Sequence, residues 1–262
     1  FIGVDEEGGT VNRISLYKQY REVPFWSPRD LFDEGGMELI KSDTKEKCRL
    51  LSSLGINLNF APVADISSDP ADYMYPRTFG ISAEETCKYV ENVVSVMKEN
   101  GIGSVLKHFP GYGNNSDTHT GIAVDERSLR SLRENDFLPF ESGIEAGAEV
   151  VLVSHNIVRS IDGEHPASLS LQVHNILRDE IGFSGLIITD DLYMDAIREY
   201  THGQEAAVMA VLAGNDLLCC SDYQTQYPAA VQALKDGKIS ENRVDESVMR
   251  ILQYKISMGL MN

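Results

Sequence analysis

The chain alternates short apolar runs of strand length with segments of helical periodicity, and this alternation continues along its 262 residues. Most of the runs are apolar without a break, which is typical of strands that are covered on both faces in a parallel sheet. The six runs begin at Phe1, Ile56, Gly103, Glu149, Leu186 and Asp216. The patterns between and after them predict helices over 36–55, 82–101, 136–146, 169–181, 204–213 and 240–258. This order predicts an α/β fold with a parallel sheet.

Polar and ionisable residues follow nearly every run, and they favour a closed barrel over an open sheet. In a (β/α)8 barrel, catalytic residues come from the carboxyl ends of many different strands. The residues in question are Asp5 and Glu6, Asp65, Lys107 and His108, Ser154 and His155, and Asp190 and Asp191. We therefore predict a TIM-type (β/α)8 barrel.

The number of runs is too small for a complete barrel of this type. Eight strands are needed, and six runs are present. The first run starts at Phe1, without an initiating methionine. We expect that one or two βα units before Phe1 are lacking from this chain, and that residues 1–262 form a single catalytic domain.

The acidic composition argues against two classes of partner. A formal net charge of −17 repels nucleic-acid phosphates and anionic membrane surfaces, and no basic run offsets it. No apolar run reaches the roughly 20 residues of a membrane span. The four cysteines show no C-x-x-C spacing, so we expect buried, reduced thiols. A cytoplasmic location is favoured; secretion, a lipid anchor and the oligomeric state stay open.

The segment from Lys107 to Gly121, "KHFPGYGNNSDTHTG", concentrates titratable groups on a glycine-rich loop. In the simpler interpretation it is a turn after a strand, in which Asp117 caps a local bend. In the functional interpretation Asp117 orients the imidazole of His119, two residues later, as a general acid and base. An unperturbed imidazole titrates near pH 6.5, so it can both donate and accept a proton near neutrality.

A pair of aspartates ends the run at Leu186, in "GLIITDDLYM". Adjacent side chains on a strand diverge, so at most one of Asp190 and Asp191 is expected to point toward a site at the strand ends. Either could instead be the N-cap of the following segment. In the functional interpretation, one of them is a carboxylate nucleophile.

Four segments together resemble glycoside hydrolase family 3, and specifically its β-N-acetylhexosaminidase branch. They are "VDEEGGTVNR", "FAPVAD" followed by "PRTFG", "KHFPGYGNNSDTH" and "ITDDLYM", and they occur in order from residue 4 to about residue 194. The segment with "KHFPG" and "D-T-H" is the most specific of them, whereas the "EGG" turn alone is weak.

The resemblance implies a role for each matching residue. Asp190 is the nucleophile, His119 the acid/base, and Asp117 its partner. Asp5 and Arg13 form hydrogen bonds with sugar hydroxyls. The other residues that the resemblance places around the sugar are Arg77, Lys107, His108, His155 and Met194. No cofactor and no metal ion are expected, and the partner is a small carbohydrate substrate. Salt bridges within a barrel are the simpler interpretation of Arg77 and Lys107.

The chain departs from the family pattern at three places. Tyr112 stands where a histidine is usual, Thr10 replaces an arginine that is common after "EGG", and the proline that often follows the "D-x-H" histidine is absent. None of these changes removes a proposed catalytic group. They bear on the loop conformation and on the sugar preference.

The resemblance implies a two-step reaction that retains the β configuration. His119 protonates the leaving oxygen while Asp190 attacks, which forms a covalent glycosyl ester; His119 then activates water. The mechanism requires that residues 119 and 190 converge at the carboxyl ends of the strands. The implied substrates are cell-wall muropeptide fragments with terminal β-linked N-acetylglucosamine, as in peptidoglycan recycling.

Several other functions remain open from the sequence. Another family 3 β-glycosidase or a glycoside phosphorylase would use the same groups, because a neutral histidine does not repel an incoming phosphate. A metal-dependent barrel hydrolase could use the histidines and aspartates, although no H-x-H or H-E-x-x-H element supports it. A non-catalytic sugar-binding protein would need neither nucleophile nor proton donor.

Overall fold

The computed structural model describes residues 1–113, 115, 117–118, 121–202 and 205–261. The strands are β1 Gly3–Val4, β2 Leu58–Asn59, β3 Gly103–Phe109, β4 Val124–Asp125, β5 Val150–Val153, β6 Ile157–Val158 and β7 Leu186–Thr189. The helices are α1 Pro28–Ser53, α2 Ala83–Glu99, α3 Leu129–Ser131, α4 Phe137–Glu145, α5 Leu171–Asn175, α6 Asp195–Thr201, α7 Ala206–Ala213, α8 Tyr223–Lys235 and α9 Glu241–Ser257. Strands and helices alternate, which confirms the α/β class.

The chain forms two compact units. The first comprises Phe1–Asn114 and Ser131–Val150, and the second comprises Asn115–Arg130 and Val151–Asn262. A closed barrel that lacks its first units, and a single catalytic domain over residues 1–262, stay predictions.

In the first unit, three strands form a parallel sheet. Gly3 of β1 pairs with Leu58 of β2, and Leu58 pairs with Gly103 of β3. Helix α2 packs against α1 and α4. Gly143 permits the close approach of α4, because a Cβ at that position would lie 2.7 Å from the side chain of Leu106 on β3. Because β1, β2 and β3 are parallel, their carboxyl ends lie on one edge of this sheet.

Two of the predicted helices in this unit show how local sequence sets their ends. The capping box predicted at Ser82 is present, since its hydroxyl accepts a hydrogen bond from Glu85 N and α2 begins at the next residue. Helix α1 begins earlier than expected, at Pro28, with Ser27 as N-cap. The backbone leaves helical geometry at Gly35 and Gly36, so the predicted helix is the second part of α1.

In the second unit, β7 lies next to β5 in the sheet, with the segment from Asp216 on its other side. The run at Asp216 was predicted as a strand, and this is wrong in detail: only a single bridge, Ile188 to Leu217, is formed there. The side chain of Asp216 is fully buried and is held by Arg178 on one oxygen and Arg250 on the other. It also accepts a hydrogen bond from Ile187 N at 3.0 Å, so this carboxylate ties α9 to the start of β7.

Helices α6 and α8 of this unit were not predicted, nor was the single turn α3. Helix α8 carries few buried side chains and contains Pro228, so its apolar pattern is weak. The four cysteines are free thiols, as expected, but only Cys48 is fully buried. Within the described ranges, we find no helix long and apolar enough to cross a membrane.

Candidate active site

The loop after β1 is organised by the buried carboxylate of Glu6. Its oxygens accept hydrogen bonds from the backbone N–H groups of Arg13, Ile14 and Ser15 at 2.8, 2.7 and 3.2 Å, and from the Ser15 hydroxyl. Gly8 is required in this loop because it has a φ of +107° and a Cβ there would lie 2.2 Å from a backbone oxygen. The "EEGG" motif thus sets the path of the chain from Asp5 to Arg13.

Glu7 forms the centre of a buried ion cluster. Arg77 binds it through two contacts, Nη2 to Oε1 at 2.7 Å and Nε to Oε2 at 3.0 Å. Lys107 Nζ lies 2.6 Å from the same Oε1 and 2.6 Å from Asp5 Oδ1. The side chains of Lys107 and Glu7 are only 2% and 3% exposed, whereas that of Asp5 is 42% exposed. The structure therefore brings together Asp5, Arg77 and Lys107.

The charges in this cluster stabilise one another. Burial alone would raise the pKa of Glu7, but Lys107 and Arg77 outweigh that effect and lower this pKa to about 2. Burial would likewise lower the pKa of Lys107, yet Glu7 and Asp5 raise it. Glu7, Lys107 and Arg77 are accordingly charged at neutral pH. Arg77 and Lys107 therefore form the salt bridges that the simpler interpretation expected. These salt bridges also fix the orientation of both side chains.

Arg13 differs from the other two cations because it lies at the surface. Its side chain is exposed, and its Nη1 donates to the carbonyl oxygen of Asn12 at 3.1 Å. Among the described residues, Arg13 takes part in no ion pair. A guanidinium in this position is accessible to a ligand that approaches the loop after β1.

His108 is held by the buried carboxylate of Asp65. Asp65 Oδ2 lies 2.6 Å from His108 Nδ1 and 3.1 Å from the His108 backbone nitrogen. Its other oxygen accepts a hydrogen bond from Tyr112 N at 2.6 Å. His108 Nε2 lies 3.4 Å from Arg77 Nη2. His108 thereby joins the ion cluster through Arg77.

In the second unit, the two aspartates after β7 have different environments. Asp191 uses both carboxylate oxygens within the protein: Oδ1 accepts from Tyr193 N and Ser221 N at 3.0 and 2.9 Å, and Oδ2 accepts from the Ser221 hydroxyl. Asp190 is half-buried and accepts a hydrogen bond from Asp191 N at 2.8 Å. Neither aspartate is an N-cap, because α6 begins after Met194. The carboxylate of Asp191 is thus held by contacts within the protein.

His155 is buried and supports the segment after β7. Its Nδ1 lies 2.7 Å from the Ser168 hydroxyl, and its Nε2 lies 3.0 Å from the carbonyl oxygen of Asp191. Since a carbonyl only accepts, Nε2 carries the proton in this network. Met194 is also buried, and its backbone N–H donates to the same Asp191 oxygen at 3.0 Å. Both residues therefore contact the residue next to Asp190.

The proposed acid/base pair is only partly described. Asp117 is half-buried, whereas His119 lies outside the described residues. The convergence of residues 119 and 190 stays a prediction. No three His, Cys, Asp or Glu side chains are grouped to hold a metal ion in the ranges that the structure describes.

The sequence missed three residues of this arrangement as site residues: Glu6, Glu7 and Asp65. Glu6 and Glu7 lie in the motif that was recognised, and Asp65 was noticed at a strand end. The contacts of these residues, and those of the cations that bind them, join positions that are 7 to 102 residues apart in the chain. In the sequence, these residues were marked only by their position after an apolar run.

The family model described as the glycosyl hydrolase family 3 N terminal domain matches residues 1–254. The β-hexosaminidase LpqI of Mycobacterium tuberculosis (strain ATCC 25618 / H37Rv) is 32% identical over 267 residues, which covers 97% of this chain and 67% of the relative.

Solved structures show the same similarity. A family 3 β-N-acetylglucosaminidase from Paenibacillus sp. str. FPU-7 has a TM-score of 0.91 and 32% identity over 99% of this chain. The β-N-acetylglucosaminidase from Thermotoga maritima has a TM-score of 0.84 and 27% identity over the whole chain. The chain spans 50% and 55% of the lengths of these two proteins.

Proposed function

Because the chain belongs to glycosyl hydrolase family 3, we propose that it is a β-N-acetylhexosaminidase that removes terminal β-linked N-acetylglucosamine. The membership confirms the resemblance in the sequence motifs and the assignment to a family of glycoside hydrolases. One observation carries the proposed activity: relatives similar over at least 97% of this chain are named β-hexosaminidase or β-N-acetylglucosaminidase. The activity of the whole protein rests on that similarity.

The ion cluster of the first unit supports the proposed sugar subsite. Asp5 presents a half-exposed carboxylate that accepts hydrogen bonds from sugar hydroxyls, while Arg77 and Lys107 donate to them. Glu7 holds both cations, so little conformational entropy is lost when a sugar binds. A sugar without the matching hydroxyls would leave buried charged groups poorly paired, which costs binding free energy and gives selectivity. Arg13 and His108 complete the proposed set.

Asp190 is the proposed nucleophile. It would attack the anomeric carbon and form a covalent glycosyl ester, through a transition state with oxocarbenium character. The carboxylate of Asp191, the alternative, is committed to Tyr193 and Ser221. His155 and Met194 hold the Asp191 carbonyl, so their proposed contribution is to keep the segment around Asp190 in place.

His119 and Asp117 are the proposed acid/base pair. His119 protonates the leaving oxygen in the first step and takes a proton from water in the second, so the two inversions retain the β configuration. Asp117 orients the ring and raises its basicity. The proposed natural substrates are muropeptide fragments of the bacterial cell wall.

Turnover on paired chromogenic substrates tests the proposal. The protein should hydrolyse an aryl β-N-acetylglucosaminide much faster than the matching β-glucoside, and the first sugar released should be the β anomer in proton NMR. A fluorinated glycoside that traps the ester should label the peptide that carries Asp190, as read by mass spectrometry. Release of the α anomer, or label on another residue, would refute the mechanism; equal rates on both glycosides would refute the sugar preference.

A further inference from the structure

We infer that Asp65 is a positioning residue that sets His108 as a hydrogen-bond acceptor in the sugar subsite. The part that concerns substrate rests on the proposed function. The part that concerns the imidazole stands on the contacts of the first unit alone.

The geometry around Asp65 leaves one assignment for Nδ1 of His108. The carboxylate of Asp65 is almost completely buried and lies 2.6 Å from Nδ1. An ionised carboxylate only accepts, so Nδ1 must carry a hydrogen. The same oxygen accepts from the His108 backbone nitrogen at 3.1 Å, and the second oxygen accepts from Tyr112 N at 2.6 Å. Donors therefore surround Asp65 on both oxygens.

Arg77 decides the state of the other ring nitrogen. Its Nη2 lies 3.4 Å from His108 Nε2, and a guanidinium only donates. A hydrogen on Nε2 would place two donors, and two positive charges, opposite each other. The favourable arrangement has the lone pair of Nε2 facing Arg77. The contacts thus place a hydrogen on Nδ1 of His108 and a lone pair on Nε2.

This arrangement places an acceptor beside a donor. Of the five N–H groups of Arg77, the Nε group binds Glu7, the two on Nη2 face Glu7 and His108, and one on Nη1 faces the sulfur of Met74. Among the described residues, one N–H on Nη1 has no acceptor. A sugar hydroxyl can take over the long, 3.4 Å contact between Arg77 and Nε2 of His108, because it can donate to Nε2 and accept from Arg77. Asp65 would thereby select a group that both donates and accepts.

The substitution Asp65→Leu should remove this constraint. Leucine has a similar volume but accepts no hydrogen bond, so nothing at position 65 holds a hydrogen on Nδ1 of His108. The imidazole should then populate both neutral tautomers. If Arg77 alone set the tautomer, the hydrogen would stay on Nδ1 in this variant.

Nitrogen NMR of the imidazole side chains measures the tautomer directly. In the wild-type protein, His108 should show a protonated signal for Nδ1 and a lone-pair signal for Nε2; in Asp65→Leu the two signals should move toward each other. The His108→Gln variant assigns the signals among the six histidines. Asp162→Leu is the matched control, because Asp162 Oδ2 lies 3.1 Å from Nδ1 of His165. It should alter the signals of His165 and leave those of His108 unchanged.

Kinetics then test the consequence for substrate. Asp65→Leu should lower kcat/KM for an aryl β-N-acetylglucosaminide by about 10- to 100-fold, as is usual when the partner of a functional histidine is removed. On a panel of monodeoxy substrates, the hydroxyl whose loss is most costly in the wild type should lose most of that penalty in Asp65→Leu, and the other positions should keep theirs.

Each outcome has a separate meaning. A hydrogen on Nε2 in the wild type, or an unchanged tautomer in Asp65→Leu, overturns the inference. If Asp65→Leu does not fold, the wild-type spectrum still decides, and Asp65→Glu should keep the hydrogen on Nδ1. If no glycoside is turned over, the proposed function fails, while the NMR result continues to test the role of Asp65.

Discussion

Lys107 Nζ and Glu7 Oε1 lie 2.6 Å apart although both side chains are almost completely buried. Two buried charges are stable only when each is paired and hydrogen-bonded. Glu7 meets this condition with Lys107 and Arg77, and Lys107 meets it with Glu7 and Asp5. The half-exposed Asp5 is the part of the cluster that a ligand can reach without breaking the buried pair.

Replacing Glu7 should therefore destabilise the protein strongly. Glu7→Gln removes the negative charge beneath Lys107 and Arg77, and breaking a buried ion pair in this way typically costs about 3–5 kcal/mol in the free energy of unfolding. Urea unfolding at pH 7 measures this. Glu84→Gln is the control, because the Glu84–Lys88 pair is exposed and its loss should not change the midpoint measurably. Equal effects of the two substitutions would contradict the importance of burial.

The same residue should make stability depend on pH in a defined window. The pKa of Glu7 is lowered from 4.5 to about 2, so its contribution is complete above pH 4.5 and is lost as the pH falls toward 2. The difference in free energy of unfolding between the wild type and Glu7→Gln should narrow by about 3 kcal/mol across this window. Urea titrations at several pH values check it. Parallel pH profiles of the two proteins would show that Glu7 is not the group responsible.

The two aspartates after β7 should differ in kind. Asp190→Ala should lower kcat by about 10³-fold or more if it removes the nucleophile. Added azide should restore part of the activity and give the α-glycosyl azide, because azide enters the space of the lost carboxylate. Asp191→Asn should instead lower the melting temperature, since it weakens bonds to Tyr193 and Ser221. Rescue by azide in Asp191→Asn, but not in Asp190→Ala, would reverse the assignment.

Asp216 should matter for stability although it lies outside the proposed site. It is buried beside Arg178, Arg243 and Arg250. Burial and the positive charge of Arg250 lower the pKa of both Arg178 and Arg243, and Asp216 opposes this effect only in part. Asp216→Asn leaves these positive charges without their buried partner and should cost about 3 kcal/mol in the free energy of unfolding.

The control for Asp216 is Asp195→Asn, because the Asp195–Arg198 pair is about half exposed. Chemical unfolding of both variants checks the prediction, and Asp195→Asn should leave the midpoint nearly unchanged. If Asp216→Asn is as stable as the wild type, the hydrogen bonds of the cluster, rather than its charge, hold α9 in place.

Local patterns were sufficient for some elements and insufficient for others. Helix α2 was predicted closely because its cap at Ser82 and its apolar stripe lie within one segment. Helix α8 was missed because its sequence has little periodic burial and includes Pro228. The apolar run at Asp216 predicts a strand, but it pairs with β7 at a single bridge. How far two segments pair depends on the partner strand, and the sequence of the run alone does not contain that information.

By itself, the sequence determined the α/β class, the family, and the positions of Asp5, Lys107, His108 and Asp190 at strand ends, because these depend on short patterns and on motifs that neighbouring residues form. Tertiary structure alone decided that Glu7 neutralises two cations, that Asp65 holds His108, and that Asp191 is bound to Ser221. These roles join residues from 30 to 100 positions apart. The energy of an ion pair or hydrogen bond depends on distance in space and on burial, and neither is encoded in local sequence.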